Sequence, residues 1–133
     1  MSEIATAAEG RFQDARSDTK DGGTMKLANI PFEVTDWAGV AASEHRGERG
    51  MATWQTLERG GVRMRIVEYT PGYIADHWCA KGHVVYCLEG ELLTELRDGR
   101  AFVLRPGMSY HVADGETPHR SRTVVGARVF IVD

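Results

Sequence analysis

The side chains best suited to metal chemistry are concentrated between residues 71 and 90. His77 and Cys79 are two positions apart, so on one regular strand both would point to the same face. A tight turn at 80–82 then reverses the chain, and His83 begins the next strand beside the end of the previous one. Imidazole and thiolate are ligands that transition metals favour. The spacing therefore predicts that one hairpin brings three metal ligands to one point.

A fourth candidate ligand, His119, follows the turn at 114–115 and enters a later strand. If that strand lies beside the hairpin, His119 completes a set of four ligands. The alternative is a barrel whose interior holds these side chains in a polar network without an ion.

The elements that must position these residues are short strands. From residue 59 onward, turn signals that contain Gly or Pro recur roughly every 8–12 residues, the spacing of an all-β sandwich or barrel. No run between them is long enough for a typical helix. The predicted strands are 51–57, 62–69, 73–79, 83–88, 91–97, 100–104, 109–112, 119–125 and 127–132. A closed antiparallel barrel of this size removes exposed strand edges and can hold one small ligand or ion inside.

The overall composition narrows the class of protein. The chain has 133 residues, 42% of them hydrophobic, which is enough for one globular core. Residues 1–24 are small and polar and predict a flexible tail, and residues 25–133 predict a single domain. A net charge of −3 argues against nucleic-acid binding, and no apolar run is long enough to span a membrane.

The cysteines and the N-terminus bear on location. The first residues show no basic-then-apolar leader pattern, and the chain has only two cysteines, Cys79 and Cys87. A cytoplasmic location with free thiols is therefore expected. The alternative is a disulfide between the two.

Two motifs resemble those of the cupins. The stretch 72–90 is similar to their first motif, which is a glycine, His-x-His, a glutamate and a second glycine, and the stretch 106–119 is similar to their second. By this resemblance His77 and Cys79 take the two histidine positions, His83 takes the glutamate position, and His119 takes the second-motif histidine. The second motif has one extra residue in the turn at 114–117. The run 76–79 also resembles a small bacterial cupin subgroup named for its Asp-His-Cys-Trp cluster.

The resemblance implies a cupin-type antiparallel β-barrel, which is a double-stranded β-helix or jelly roll, with a metal in its mouth. It also implies a homodimer. The expected function is that of a metalloenzyme of the dioxygenase, isomerase or hydrolase type that acts on a small organic molecule in the barrel. The alternative is a non-enzymatic metal- or ligand-binding sensor module with a closed His/Cys zinc site.

Cys79 decides between an open and a closed site. A thiolate favours zinc, with iron, nickel or copper as alternatives, over magnesium or manganese. If Cys79 binds with His77, His83 and His119, the set matches a closed tetrahedral zinc site. If Cys79 stays off the metal, three histidines leave open positions for a reaction.

A second set of candidates concerns the substrate. Arg63 and Arg65 share one face of a predicted strand with Tyr69. If that face is inward, the cations call for an anionic ligand, and a carboxylate-bearing small molecule is the expected substrate. If it is outward, they are surface charges, and Met64 and Ile66 form the core stripe. The candidate substrate-binding residues are Arg65, Trp54 and Tyr69, with Gln55 beside Trp54.

Other chemistry-bearing residues have simpler interpretations. Asp76 is predicted as a surface carboxylate, with the alternative that it orients a ligand histidine. Trp78 faces outward and Cys87 is a small buried residue. His45 lies in a charged, Gly-rich stretch that predicts a solvated loop, or else a lid over the barrel mouth. His111 is left off the metal, since His119 already occupies the motif position.

Overall fold

The computed structural model describes residues 27–133, and these are dominated by β-strands. Nine strands follow a single-turn 3₁₀ helix, Trp37–Gly39. They are β1 (Ala42–Arg46), β2 (Met51–Arg59), β3 (Val62–Tyr69), β4 (His83–Gly90), β5 (Leu92–Leu96), β6 (Ala101–Leu104), β7 (Ser109–Val112), β8 (His119–Arg122) and β9 (Ala127–Val132). The tail predicted at 1–24 lies outside the described residues.

The strands form two antiparallel sheets around one core. The larger sheet has the order β1-β2-β3-β9-β4-β7, and the smaller has the order β6-β5-β8. Both sheets contribute to one cluster of buried apolar side chains, with Val67, Val85 and Val129 from the larger sheet and Leu92 and Leu104 from the smaller. The all-β antiparallel architecture predicted from the turn spacing is confirmed.

Most of the predicted strands are present, because alternating apolar residues between turn glycines leave the chain few other ways to bury them. Cys87 lies fully buried in the core, as predicted, and neither cysteine forms a disulfide. Where β5 meets β6, Gly99 has φ 104°, a value that suits the predicted tight turn.

The strand predicted at 73–79 is wrong. In that segment only Ile74 and Cys79 make isolated bridges, Ile74 to Arg49 and Arg122 and Cys79 to His119. Asp76 and His77 form an exposed bend between them, so the strand alternation that was expected to align His77 with Cys79 does not operate there.

The charged stretch around His45 is not a solvated loop throughout. It forms the edge strand β1, which pairs with β2 from Ala42 opposite Gln55 to Arg46 opposite Met51. The pattern missed this strand because an exposed edge strand needs few apolar residues to remain paired.

Gly90 is a position where the fold requires glycine. It lies at the end of β4 with φ 76°, and a Cβ there would overlap the carbonyl oxygen of Gly126, which directly precedes β9. We expect Gly90→Ala to lower the free energy of unfolding by about 3 kcal/mol or more, since left-handed strain and backbone overlap add together. Chemical denaturation measures this loss.

Gly99→Ala is the matched control. Gly99 also has positive φ, but nothing lies within 4 Å of an added Cβ. This variant should lose only the strain of the left-handed backbone, about 1–2 kcal/mol. Equal losses at the two positions would contradict the overlap argument.

Candidate functional site

Two histidine rings converge inside the barrel. His83 begins β4 in the larger sheet, His119 begins β8 in the smaller sheet, and their Nε2 atoms lie 2.9 Å apart. Both rings are largely shielded from solvent, and His119 is only 3% exposed. The pair therefore links the two sheets at one point.

The second nitrogen of each ring faces an oxygen. His119 Nδ1 lies 2.9 Å from the carbonyl oxygen of Thr117, so Nδ1 carries the proton and Nε2 presents its lone pair. His83 Nδ1 lies 3.6 Å from Asp133 Oδ2 and has no hydrogen-bond partner among the described residues. The Nε2 atoms of the two rings thus face each other, and an oxygen acceptor lies near the Nδ1 atom of each ring.

Neither neutral tautomer of His83 suits these surroundings. If Nδ1 carries the proton, two Nε2 lone pairs face each other across 2.9 Å. If Nε2 carries it, the Nδ1 lone pair faces the carboxylate of Asp133. Burial, and then the neighbouring His119, lowers the pKa of His83 to about 4, so a doubly protonated His83 ring does not resolve the conflict at neutral pH.

A metal ion bound to both Nε2 atoms would remove this conflict between the tautomers of His83. Imidazole nitrogens bind first-row metals at about 2.0–2.1 Å, so two nitrogens bound to one ion lie roughly 3 Å apart. The observed separation of 2.9 Å fits two ligands of one ion. Asp133 and the Thr117 carbonyl then occupy the places of the outer oxygens that orient metal-binding histidines.

Tyr110 is a third group at this point, and the sequence reasoning missed it. Its hydroxyl lies 3.2 Å from His83 Nε2, and its ring packs edge-on against both histidines. Burial, and then the neighbouring Tyr69, raises the pKa of Tyr110, so its hydroxyl stays protonated. Strand alternation in β7 could have found it, since Tyr110 faces inward where His111 is exposed on the other face.

Cys79 lies beside His119. The two residues exchange backbone hydrogen bonds, from Cys79 N to His119 O at 2.7 Å and from His119 N to Cys79 O at 2.9 Å. Both side chains line the same cavity. The thiol accepts a hydrogen bond from the backbone N–H of Lys81 at 3.4 Å.

His77 lies at the rim of the cavity. Its side chain is 72% exposed, and its Nδ1 lies 2.7 Å from Asp76 Oδ1. The hydrogen bond to His77 holds the pKa of Asp76 below its ordinary value. Asp76 is therefore both exposed, as predicted, and in contact with a candidate ligand, which was the alternative.

The four candidate ligands are not assembled into one cluster. Within residues 27–133, no three His, Cys, Asp or Glu side chains lie close enough together to hold an ion. His83 and His119 are brought together, whereas Cys79 and His77 lie on the irregular segment beside them. Their part in metal binding stays a prediction.

Asp133 is a further residue that the sequence reasoning missed. Its buried carboxylate accepts from Arg63 Nε at 3.0 Å, Arg63 Nη2 at 3.1 Å and Arg65 Nη2 at 3.2 Å. Burial opposes its charged form, but the hydrogen bond from Arg63 and the charges of both arginines outweigh burial and keep the pKa of Asp133 below its ordinary value. No local pattern marks Asp133, because its partners are about 70 residues away in the sequence.

The arginine face of β3 points inward. Arg65 is 6% exposed and lies in the barrel, whereas Met64 and Ile66 lie on the opposite face and are only half-buried. The inward alternative is therefore the one that the structure adopts. Burial, and then the charge of Arg63, lowers the pKa of Arg65.

One cavity of about 170 Å³ is lined by the candidate site residues. Its wall includes the seven predicted site residues, Trp54, Arg65, Tyr69, His77, Cys79, His83 and His119. Burial, and then Tyr73, raises the pKa of Tyr69 to about 12. Gln55 does not reach this cavity, because it lies on the other face of β2 and donates to the carbonyl oxygens of Trp37 and Val40.

Two aromatic residues near the cavity pack against charged or polar groups. Trp54 stacks on His45 of β1, with ring centroids 3.8 Å apart, and Arg65 lies over the Trp54 ring at 4.4 Å. Trp78 contacts the guanidinium groups of Arg97 and Arg120. Trp78 is thus a packing residue.

Several solved structures share this fold. An RmlC-like cupin from Shewanella frigidimarina has a TM-score of 0.62 and 18% identity, covering 78% of this chain and 91% of that one. The polyketide cyclase RemF from Streptomyces resistomycificus has a TM-score of 0.65 and 23% identity, covering 77% and 78%. Fe(II) HppE has a TM-score of 0.63 and 14% identity, covering 76% and 59%. The chain therefore has the cupin fold, as its motifs predicted.

Sequence comparison adds no closer relationship. No family model matches the chain, and no curated protein sequence does either. Among residues 27–133, none of the helical segments has the length and apolar character needed to cross a membrane.

Proposed function

We propose that this chain is a metal-binding cupin that acts on a small organic molecule in its barrel. The observation that carries the proposal is the convergence of His83 Nε2 and His119 Nε2, 2.9 Å apart, on the wall of a cavity. An ion at this point would be held by the two histidines, with Cys79 and His77 as the candidates to complete its ligand set.

The neighbouring groups support an open site. Only two of the four candidate ligands are in position, and the cavity continues past them to Trp54, Arg65 and Tyr69. A bound ion would supply Lewis-acid or redox chemistry to a molecule in that cavity. Thr117 and Asp133 would orient the two imidazoles, and the Tyr110 hydroxyl would donate a hydrogen bond beside them.

The type of metal follows from the ligand chemistry. Two imidazoles with a nearby thiol favour zinc, iron, nickel or copper over magnesium and calcium. Zinc is the first candidate, since it accepts both nitrogen and sulfur ligands. Iron is the second, and it is the metal named with HppE, one of the proteins that share the fold.

Metal analysis of the purified protein tests the proposal. After loading with zinc or Fe(II) and desalting, we expect about one ion per chain. Cys79→Ser should keep the ion, because the histidines and not the thiol are pre-positioned. His83→Ala should lose it. Wild-type protein that takes up neither metal would overturn the proposal.

A closed zinc site is the second candidate function. The backbone pairing of Cys79 with His119 supports it, since one ion could bind both side chains after a small movement. Cobalt substitution distinguishes the two, because a thiolate ligand gives a near-ultraviolet charge-transfer band. Such a band in the wild type, together with loss of the ion in Cys79→Ser, would favour the closed site. The homodimer and the cytoplasmic location stay predictions.

A further inference from the structure

Arg65 has hydrogen-bonding capacity that its surroundings do not use. The guanidinium carries five N–H donors in a planar fork. Its Nη2 donates to Asp133 Oδ2 at 3.2 Å, whereas its buried Nε has no acceptor among the described residues. A buried donor without an acceptor is costly, and Arg65 is 6% exposed. The guanidinium of Arg65 can therefore donate a hydrogen bond to a further acceptor.

The charged side chains that line the cavity are mostly cationic. Arg63 and Arg65 share the single carboxylate of Asp133, and Arg63 already occupies both of its oxygens. Among the described residues that line the cavity, Asp133 is the only carboxylate, whereas Lys81 and Arg120 add further positive charge. Arg120 is paired with Glu95 at 3.0 Å, and Arg63 occupies both side-chain oxygens of Asp133, so Arg65 is the buried cation with an unused donor. An anion would supply Arg65 with a further charged acceptor.

The Trp54 ring orients the guanidinium of Arg65. Arg65 Cζ lies 4.4 Å from the centre of the Trp54 ring, and His45 stacks on Trp54 at 3.8 Å. Stacking on an indole orients the guanidinium plane and leaves its edge for hydrogen bonds. A planar carboxylate matches that edge with two parallel hydrogen bonds.

We propose that the cavity binds a small carboxylate and that Arg65 holds its carboxylate group. Asp133 Oδ2 contacts Arg65 on one side and faces His83 Nδ1 on the other, so the anion site and the histidine pair are neighbours. The volume of about 170 Å³ is smaller than the roughly 300–1,000 Å³ of sites for drug-sized ligands, which favours a short organic acid. That this acid is also the substrate rests on the metal function proposed above; the anion site itself does not.

Calorimetric titration of the full chain with matched probes tests the inference. The probes are acetate, lactate and malonate, their neutral amides, and inorganic phosphate, each added to metal-free and to zinc-loaded protein. We expect at least one carboxylate to bind saturably to both forms, and its amide to bind about tenfold more weakly or worse. This comparison needs no variant, so it does not depend on the folding of a mutant.

Variants then locate the site. Arg65→Met should weaken carboxylate binding about tenfold or more and leave amide binding unchanged, and Arg65→Lys should recover only part of the loss because it lacks the planar fork. Arg100→Met is the matched control, since Arg100 is exposed and paired with Asp98 in the hairpin between β5 and β6. It should bind the carboxylate as the wild type does.

Three outcomes would overturn the inference: no probe carboxylate binds, Arg65→Met binds it as tightly as the wild type, or phosphate binds about tenfold more tightly than every carboxylate. In the second of these outcomes, carboxylate binding that occurs only with zinc leaves the metal site intact. Conversely, Arg65-dependent binding by a protein that never takes up metal supports the anion site and overturns the proposed function.

Discussion

Replacing His119 with alanine is expected to reduce metal affinity about 100-fold or more. Four-ligand zinc sites bind with about 10–16 kcal/mol, so one of the two pre-positioned ligands carries a large share of that energy. His119 is 3% exposed, and its Nδ1 is committed to the Thr117 carbonyl, so no other residue can present a nitrogen at the same point without rebuilding β8. Competition titration with a chromophoric chelator measures the change.

His111→Ala is the control for that experiment. His111 lies on β7 opposite Val84, and its side chain is exposed on the face away from the cavity. This variant removes an imidazole from the same protein without touching the histidine pair, so its metal affinity should equal that of the wild type. If His111→Ala and His119→Ala weakened binding alike, the ion would be bound at the surface and the assignment of the pair would be wrong.

Replacing Asp133 with alanine is expected to lower the free energy of unfolding by about 3–5 kcal/mol. Its carboxylate is 1% exposed and accepts from Arg63 and Arg65, so the substitution removes the side-chain ion-pair partner of the buried Arg65. Removal of one partner from a buried ion pair has a cost of this size, because the charge of the buried Arg65 then has little access to water and no carboxylate side chain beside it. Urea denaturation of the metal-free protein measures it.

The charge of Asp133, rather than its volume, should account for most of this loss. Asp133→Asn keeps the shape and should still be strongly destabilised, whereas Asp98→Ala, which breaks the exposed pair with Arg100, should change stability very little. An Asp133→Asn variant as stable as the wild type would show that the arginines do not need the carboxylate. Added lactate should partly restore the stability of Asp133→Ala if the anion site is real, because a ligand of the folded state stabilises it by mass action.

A comparison of the predicted and observed strands shows which parts of the fold the local sequence pattern predicts. Alternation of apolar residues between turn glycines located β3, β6, β7 and β9 closely, since a one-residue shift would turn every buried side chain to solvent. It failed at 73–79, where the residues look like a strand but only two of them, Ile74 and Cys79, make isolated bridges. It also missed β1, whose pairing with β2 needs no buried apolar stripe.

At the site, too, some features could be predicted from the sequence and others depend on the tertiary structure. The spacing of His83 and His119 in the two motifs marked both as ligands before any fold was known, and the structure brings them together. The direction of Arg65 could not be decided from β3 alone, because both faces of that strand carry apolar residues. Pairing of β3 with β9 decided it, and the same pairing brings Asp133 to Arg63 through two backbone hydrogen bonds.

By itself the amino-acid sequence determined the all-β class, most of the strands and the residue types available for metal binding, because these depend on neighbours a few positions apart. Only the tertiary structure decided that two histidines from different sheets share one point, that Tyr110 and Asp133 stand beside them, and that a cation faces inward next to an indole. Apart from the contact of Arg65 with Trp54 on the neighbouring strand, those contacts join residues 27 to 70 positions apart. The packing of the two sheets, not any local periodicity, sets which side chains meet.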